Sequence, residues 1–410
     1  MQTFVPETAS EAADVVRAAL SENRSLEITG AGSKRGWGRP VAADLGLKLT
    51  ALSGIELYEP EELVLTAKAG TPISEIERLL AEKDQALAFE PPDLSALYGG
   101  EAGDGIPGGT LGGVIGCNLS GPARIRSGAA RDHVLGFEAI GGRGEVIDSG
   151  GRVVKNVTGF DMPKAMAGSF GTLGVMTSIT VRALPRAEKV RTVLIYGLDA
   201  ARAADAMGAG LRSPHDIDGA AYLPEDLAAR SAAGYVAGAA ASVTALRLGG
   251  PGPSAEARCK ALRGLLAPFG DSEELHGRNS HTFWREIRDV APLFTDPESC
   301  IWRLSVAPAS GAAILDGILA KTDGHAYSDW GGGLIWLCLA PGDDAGATAI
   351  RAAVAACGGH ATLMRAADAV RAAVPVFQPQ DPVSASLTTR LKEIFDPSGI
   401  FNPGRMYEGL

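Results

Sequence analysis

The sequence predicts a two-domain α+β protein, and three observations carry that reading. A chain of 410 residues is too long for one compact core. Its N-terminal part is glycine-rich, and ten of the residues from Gly99 to Gly121 are glycine. From residue 186 the paired glycines thin out, alanine and arginine take over, and apolar strands alternate with helical stretches.

In order, Thr8-Ala9-Ser10-Glu11 reads as a capping box. The helical period of Ala9, Ala12, Ala13, Val16, Ala19 and Leu20 predicts a helix to about Glu22. Leu26 to Thr29 reads as a short strand, followed by strands at 47–52 and 62–69. Thr71-Pro72 opens a helix that ends near Lys83, since proline suits a first helical position. Residues 134–140 and 145–148 flank Gly141-Gly142-Arg143-Gly144 as a hairpin. A short helix at 162–167 and a strand at 175–184 complete this half. In the second half, strands at 190–196, 242–248, 301–306 and 334–339 alternate with helices near 199–210, 254–267, 310–319 and 343–356. That order predicts a second α+β domain on an antiparallel sheet, and no internal repeat is visible. A helix at 384–395, stopped by Asp396-Pro397-Ser398-Gly399, ends the chain.

Two glycine loops are the candidate ligand sites. The first, Gly30-Ala31-Gly32-Ser33-Lys34-Arg35-Gly36-Trp37-Gly38, follows a strand, as a dinucleotide fingerprint does. Its G-x-G-x-x-x-G spacing is wrong for one, and Trp37-Gly38-Arg39-Pro40 cannot open the long helix such a site needs. The loop can still offer backbone N–H groups, with Ser33 and Lys34 adding a hydroxyl and a charge. The second loop, residues 107–121, places Gly108-Gly109 and Gly112-Gly113 around Thr110 and Leu111. Such a turn is expected to adopt glycine-only angles and aim successive N–H groups at an anion such as a pyrophosphate. Residues 124–132 are basic in an otherwise acidic chain, and read equally well as a solvated loop or as a rim around an anion.

Composition excludes several classes. A net charge of −10, with no compensating basic block, argues against nucleic-acid binding. The five cysteines form no C-x-x-C pair, which excludes a zinc or iron–sulfur framework and fits buried free thiols in a reducing compartment. His276 and His281 are off the i,i+4 spacing of two ligands on one helix face, so no metal site is expected. The first residues carry no signal-peptide pattern. No run approaches the roughly 18 apolar residues of a membrane span.

Four stretches together carry a resemblance. GAGSKRGWG at 30–38, PGGTLGGVIGCNLSGPARIRSGAARDHVLGFEAIGGRGEVIDSGG at 107–151, VVKNVTGFDMPKAMAGSFGTLGV at 153–175 and FDPSGIFNPGRM at 395–406 resemble the FAD-binding (PCMH-type) vanillyl-alcohol-oxidase superfamily. Within it the chain is most similar to the E-subunit family of bacterial glycolate oxidases, with Arg131-Asp132-His133-Val134-Leu135-Gly136 and Lys155-Asn156-Val157-Thr158-Gly159-Phe160-Asp161 as its internal steps. The resemblance implies a PCMH-type FAD-binding domain of two α+β subdomains at 1–185, an α+β cap domain with an antiparallel sheet at 186–375, and a segment at 376–410 that returns to the FAD domain. Gly30, Ala31, Gly32, Ser33 and Lys34, with Thr110, Leu111, Gly112 and Gly113, would cradle the pyrophosphate. Ser120, Gly121, Gly128 and Asp132 would lie along the ribityl chain and flavin ring. Gly174 and Val175 would sit near the adenine, Asn402 and Arg405 would return to the cofactor, and Gly109 and Val134 complete the set.

Departures from the family pattern sharpen the expectation. The first loop carries no histidine or cysteine for a covalent flavin link, and Cys117 and His133 lack the usual attachment context, so non-covalent FAD is expected. Relatives that oxidise 2-hydroxy acids unaided carry a histidine-bearing G-D-G-N-x-H motif, whereas this chain has Ser328-Asp329-Trp330-Gly331-Gly332-Gly333-Leu334. The resemblance therefore implies a cytoplasmic FAD subunit of a glycolate oxidase, reaching the membrane only through partners. A sister flavoprotein would hold the substrate, and an iron–sulfur subunit would take the electrons. The alternatives are a self-sufficient 2-hydroxy-acid dehydrogenase, with Arg285 or Arg303 as candidate carboxylate ligands, and a flavin-poor structural subunit.

Overall fold

The computed structural model describes residues 1–98, 106–151, 160–294 and 296–410. Residues 155–159 of the second internal step, and Gly99 to Gly105 of the glycine cluster, lie outside them. The chain divides into two compact units: residues 1–120, 129–185 and 379–410, and residues 121–128 with 186–378. The segment 121–128 thus groups with the second unit, although it falls inside the range 1–185 in sequence.

The first unit holds two main sheets. One is parallel, in the order Gln2–Phe4, Leu45–Lys48, Leu26–Thr29. Helix Ala9–Ser21 packs on it through Ala12, Ala13, Val16 and Ala19, which join Leu26, Leu45 and Leu47 in one core. The helix starts where expected because the Thr8 hydroxyl accepts the Glu11 N–H at 3.2 Å. The other sheet is antiparallel, in the order Ile55–Glu59, Val64–Lys68, Val175–Arg182, Val134–Ile140, Val146–Gly150. The edge strand Ile55–Glu59 escapes sequence reading, since its residues are only half covered and show no buried face.

The C-terminal helix Pro382–Phe395 is capped by Asp381 and leads into a tail that enters this unit. Lys392 and Asp396, one turn apart, form a buried ion pair at 2.7 Å. The Lys392 ammonium also donates to the carbonyls of Thr172 and Phe401, at 2.8 and 2.9 Å. The Asp396 carboxylate accepts the N–H groups of Ile400 and Phe401 at 3.1 and 2.8 Å. With its hydrogen bonds so filled, the pair meets the condition under which a buried charge is tolerated. Phe401, fully buried, then sits beside Leu26, and the Asn402 N–H donates to the Leu26 carbonyl at 2.9 Å.

The second unit is an eight-stranded antiparallel sheet flanked by helices. Its order is Ser272–His276, Lys189–Tyr196, Val243–Gly250, Ile217–Leu223, Gly324–Asp329, Leu334–Leu339, Cys300–Ser305, His360–Arg365. Each half has the same connection: strand, helix, strand, strand, helix, strand, with the first strand next to the last and the third. Each is therefore a β-α-β-β-α-β unit. The halves meet where Tyr222 pairs with Ser328. This repeat lies in topology and is absent from the residue pattern. Four of its strands (217–223, 272–276, 324–329 and 360–365) and the helix Gly277–Arg288 are missing from the sequence reading. The reason is local: Ile217–Leu223 reads IDGAAYL and Gly324–Asp329 reads GHAYSD, with little of the β-branched content that marks a strand. Helices Ala200–Leu211 and Gly252–Leu266 cover Val193, Ile195, Leu246 and Leu248 on one face. On the other, the Trp284 indole of Gly277–Arg288 donates to the Thr192 hydroxyl at 2.8 Å.

Replacing Asp396 with alanine strands a buried ammonium. The first unit is expected to lose about 3–5 kcal/mol of unfolding free energy. Denaturant unfolding followed by circular dichroism checks this; an unchanged midpoint would show that the pair does not hold the tail.

Candidate cofactor site

Strand Leu26–Thr29 runs directly into Gly30-Ala31-Gly32-Ser33-Lys34. The backbone N–H groups of Ala31, Gly32, Ser33 and Lys34 donate to no protein acceptor among the described residues. Consecutive free N–H groups of this kind form an anion nest. Lys34, 9% exposed, folds back over the loop, 3.1 Å from the Ser33 hydroxyl and 3.5 Å from the Gly108 carbonyl. No carboxylate lies within ion-pair distance of it among the described residues. Burial lowers its pKa, an effect partly offset by Cys117 and Asp93. A buried ammonium with no carboxylate at ion-pair distance, beside free N–H groups, fits a phosphate.

The second glycine stretch is not the loop that its composition predicts. Residues Leu111–Gly116 form a short helix with Thr110 as its cap, the Thr110 hydroxyl accepting the Gly113 N–H at 3.3 Å. Leu111, Val114 and Ile115 are fully buried, and that anchoring overrides the poor helix propensity of three glycines. The Leu111 and Gly112 N–H groups donate to Thr71 and Ala69 carbonyls at 2.9 and 2.8 Å. This stretch therefore offers a wall without side chains, where N–H donation was expected. Glycine-only angles occur at Gly108 and Gly109, with φ of 72° and 73°, and Gly112 and Gly113 have none. A Cβ on Gly109 would stand 2.7 Å from both the Lys34 ammonium and the Ser33 hydroxyl. Gly30 has the same constraint, its Cβ position lying 2.2 Å from the Thr110 hydroxyl. The two stretches thus touch across the glycines.

Between them runs a cleft. Of the sequence-predicted residues, Gly30, Ala31, Gly32, Ser33, Lys34, Thr110, Gly112, Gly113, Gly174, Asn402 and Arg405 line it. Gly109 backs it through its contact with Lys34. The remaining ones stand elsewhere. Leu111 points into the core. Val134 and Val175 are buried in the five-stranded sheet, opposite Val181 and Ile140. The Ser120 hydroxyl accepts the Ala130 N–H at 2.9 Å, and the Asp132 carboxylate accepts the Ala129 N–H at 2.8 Å. Gly121 and Gly128 group with the second unit. Of the basic stretch 124–132, Arg124 and Arg126 go with them, and Arg131 stays in the first unit beside Asp132.

Asn402 lines the cleft and is tied to protein on both sides. Its side-chain oxygen accepts the Ile28 N–H at 2.8 Å, and its amide donates to the Phe170 carbonyl at 2.7 Å. Arg405 donates to the Lys34 carbonyl at 2.9 Å, which fixes the first loop from the C-terminus. Cleft residues absent from the sequence reading include Leu49, Cys117, Phe170 and Gly171. Cys117 and Phe170 stood inside recognised motifs; nothing in the sequence marks Leu49. Burial pushes the Cys117 thiol up to about 11 despite nearby Lys34 and Arg405. It is therefore neutral at pH 7 and a poor nucleophile.

The family described as FAD binding domain matches residues 2–150. Glycolate oxidase subunit GlcE of Escherichia coli K12 is 35% identical over 96% of this chain and 96% of that protein. Glycolate oxidase subunit GlcD of Bacillus subtilis 168 is 32% identical over 34% of this chain and 27% of that protein. The fold is shared with alkyldihydroxyacetonephosphate synthase at a TM-score of 0.67 and 14% identity, covering 98% of this chain and 76% of that one.

Two substitutions separate the roles of the glycines. Gly109→Val adds about 1–3 kcal/mol of backbone strain and drives a side chain into Lys34, so the purified protein is expected to lose its FAD. Gly113→Ala, at a helical angle with Thr110 3.3 Å away as its nearest neighbour, should fold normally. Flavin absorbance per chain and circular dichroism read both. Full FAD content in the Gly109 variant would exclude this cleft.

Proposed function

The chain belongs to the glycolate oxidase subunit GlcE family, and from that premise we propose that it is the FAD-carrying subunit of a multi-subunit oxidase that converts glycolate to glyoxylate. The observation that carries the reading is the cleft itself: four free N–H groups and a buried, unpaired lysine facing a wall of glycines. Bound FAD would supply the redox chemistry, accepting the two electrons removed from the hydroxyl-bearing carbon. The protein's part is to bind and orient it. The N–H groups of Ala31 to Lys34 and the Lys34 ammonium would hold the pyrophosphate. Gly30, Gly112, Gly113 and Gly116 would admit the cofactor backbone closely. Arg405 keeps the first loop in place, and Asn402 ties the strand before it, at Ile28, to the turn at Phe170.

A sister flavoprotein subunit, of the kind named GlcD, would hold the hydroxy acid, and an iron–sulfur subunit would drain the electrons. Support comes from the turn 328–334, whose one carboxylate, Asp329, accepts the Trp330 N–H at 2.7 Å. Among the described residues no cluster of three or more His, Cys, Asp or Glu side chains could hold a metal ion. No helix among them is long and apolar enough to cross a membrane, which is compatible with docking at a cytoplasmic membrane face through those partners.

Anaerobic mixing of the FAD-loaded chain with excess glycolate tests the reading. Flavin bleaching should be slow for the chain alone and fast once partner subunits are added. Complete bleaching within seconds by the lone chain would replace this reading with a self-sufficient dehydrogenase. Lys34→Met should weaken FAD binding about 10- to 100-fold, the loss expected for one charge-assisted contact. Acid denaturation should release FAD intact, and Cys117→Ser should keep the wild-type flavin content; flavin left on the precipitated polypeptide would show a covalent link instead.

A further inference from the structure

In the second unit, two arginines converge on one tryptophan. Trp330 follows strand Gly324–Asp329 in a tight turn and has a φ of 54°, rare for an aromatic residue. Two hydrogen bonds hold it there. Its backbone N–H donates to Asp329, and its indole N–H donates to the Gly121 carbonyl at 3.0 Å. The Arg124 guanidinium lies 4.3 Å from the ring centroid and that of Arg303, from strand Cys300–Ser305, lies 5.1 Å away. Trp330 is buried and both arginines are half-buried.

Arg303 is the unusual member. Among the described residues its guanidinium has no hydrogen-bond acceptor and no carboxylate; the ring is its one recorded contact. Other covered arginines are satisfied, as buried Arg247 is by Asp218 at 2.7 Å and half-buried Arg191 by Glu274 at 2.8 Å. Burial and the neighbouring Arg124 lower the Arg303 pKa to about 10, so it keeps its charge at pH 7. A partly desolvated guanidinium with no acceptor of its own is unfavourable, and a bound anion would supply one. A guanidinium presents a planar fork that matches a carboxylate in two parallel bonds. The Trp330 indole stands at one side of the guanidinium.

We propose that Arg303, with Trp330 and Arg124 as its walls, is a binding site for the carboxylate of a small 2-hydroxy or 2-oxo acid. This deepens the function proposed above by giving the chain its own carboxylate subsite, and rests on that reading only for the choice of acids. Arg285, the other arginine singled out in the sequence, is exposed on helix Gly277–Arg288 and serves as a control.

The test is titration calorimetry of the full FAD-loaded chain with glycolate, glyoxylate and oxalate, and with inorganic phosphate for comparison. Wild type and Arg285→Gln should bind the acids alike. Arg303→Gln should weaken binding by about tenfold or more, as loss of one charge-assisted pair predicts, with flavin content and circular dichroism unchanged. Arg303→Lys should recover only part of the affinity, because an ammonium cannot form the two-pronged contact. The proposal fails if none of the acids binds, if the Arg303 and Arg285 variants lose affinity equally, or if phosphate binds as tightly as the acids. Calorimetry requires no turnover, so rapid bleaching by the lone chain would remove the subunit reading and leave this site standing.

Discussion

The buried pair of Lys392 and Asp396 is the constraint on which the first unit depends. Five hydrogen-bonded contacts radiate from it: the ion pair itself, two carbonyls on the lysine and two N–H groups on the aspartate. They turn the chain after the last helix and send Phe401 into the core beside Leu26. From there Asn402 and Arg405 reach Ile28 and Lys34, at the other end of the sequence. The first glycine loop is thereby braced from behind, which leaves its forward N–H groups free. Replacing the pair with apolar residues could preserve packing, but it would forfeit the four backbone contacts that set the tail's path.

The cleft divides its work between two glycine stretches that look alike in composition. The first supplies charge and donors; the second supplies room. Its own N–H groups are consumed by Thr71, Ala69 and the Thr110 cap. The contact of Gly109 with Lys34 and of Gly30 with Thr110 makes the two stretches one surface. A side chain at either position would separate them.

Much of this was legible in the residues. The first loop, the Ala9–Ser21 helix and most strands of the glycine-rich half follow from local signals, whereas Gln2–Phe4 and the edge strand Ile55–Glu59 do not. Composition also marked the change at residue 186. What escaped has physical causes. A short helix held by Leu111, Val114 and Ile115 cannot be told from a loop when its other residues are glycines. The structure gives Ser120 and Asp132 the N–H groups of Ala130 and Ala129 as partners, and those alanines carry no sequence mark. Asn402 was legible as a residue that returns to the cleft, yet its partners Ile28 and Phe170 lie hundreds of positions away. The duplicated topology of the second unit left no residue pattern because its two halves meet different neighbours and share only a path.

The grouping of residues 121–128 with the second unit bears on how the chain can be cut. The peptide leaves the first unit after Ser120, lends a carbonyl to the Trp330 indole and an arginine to its ring, and returns at Ala129. A fragment spanning 186–378 would lack this strap, and Trp330 would lose the acceptor that supports its left-handed backbone. Dissection into independently expressed halves therefore has no clean cut site in the linear sequence. Each half is discontinuous, and a limited digest that nicks the strap would unsettle the second unit while sparing every bond in its own continuous stretch.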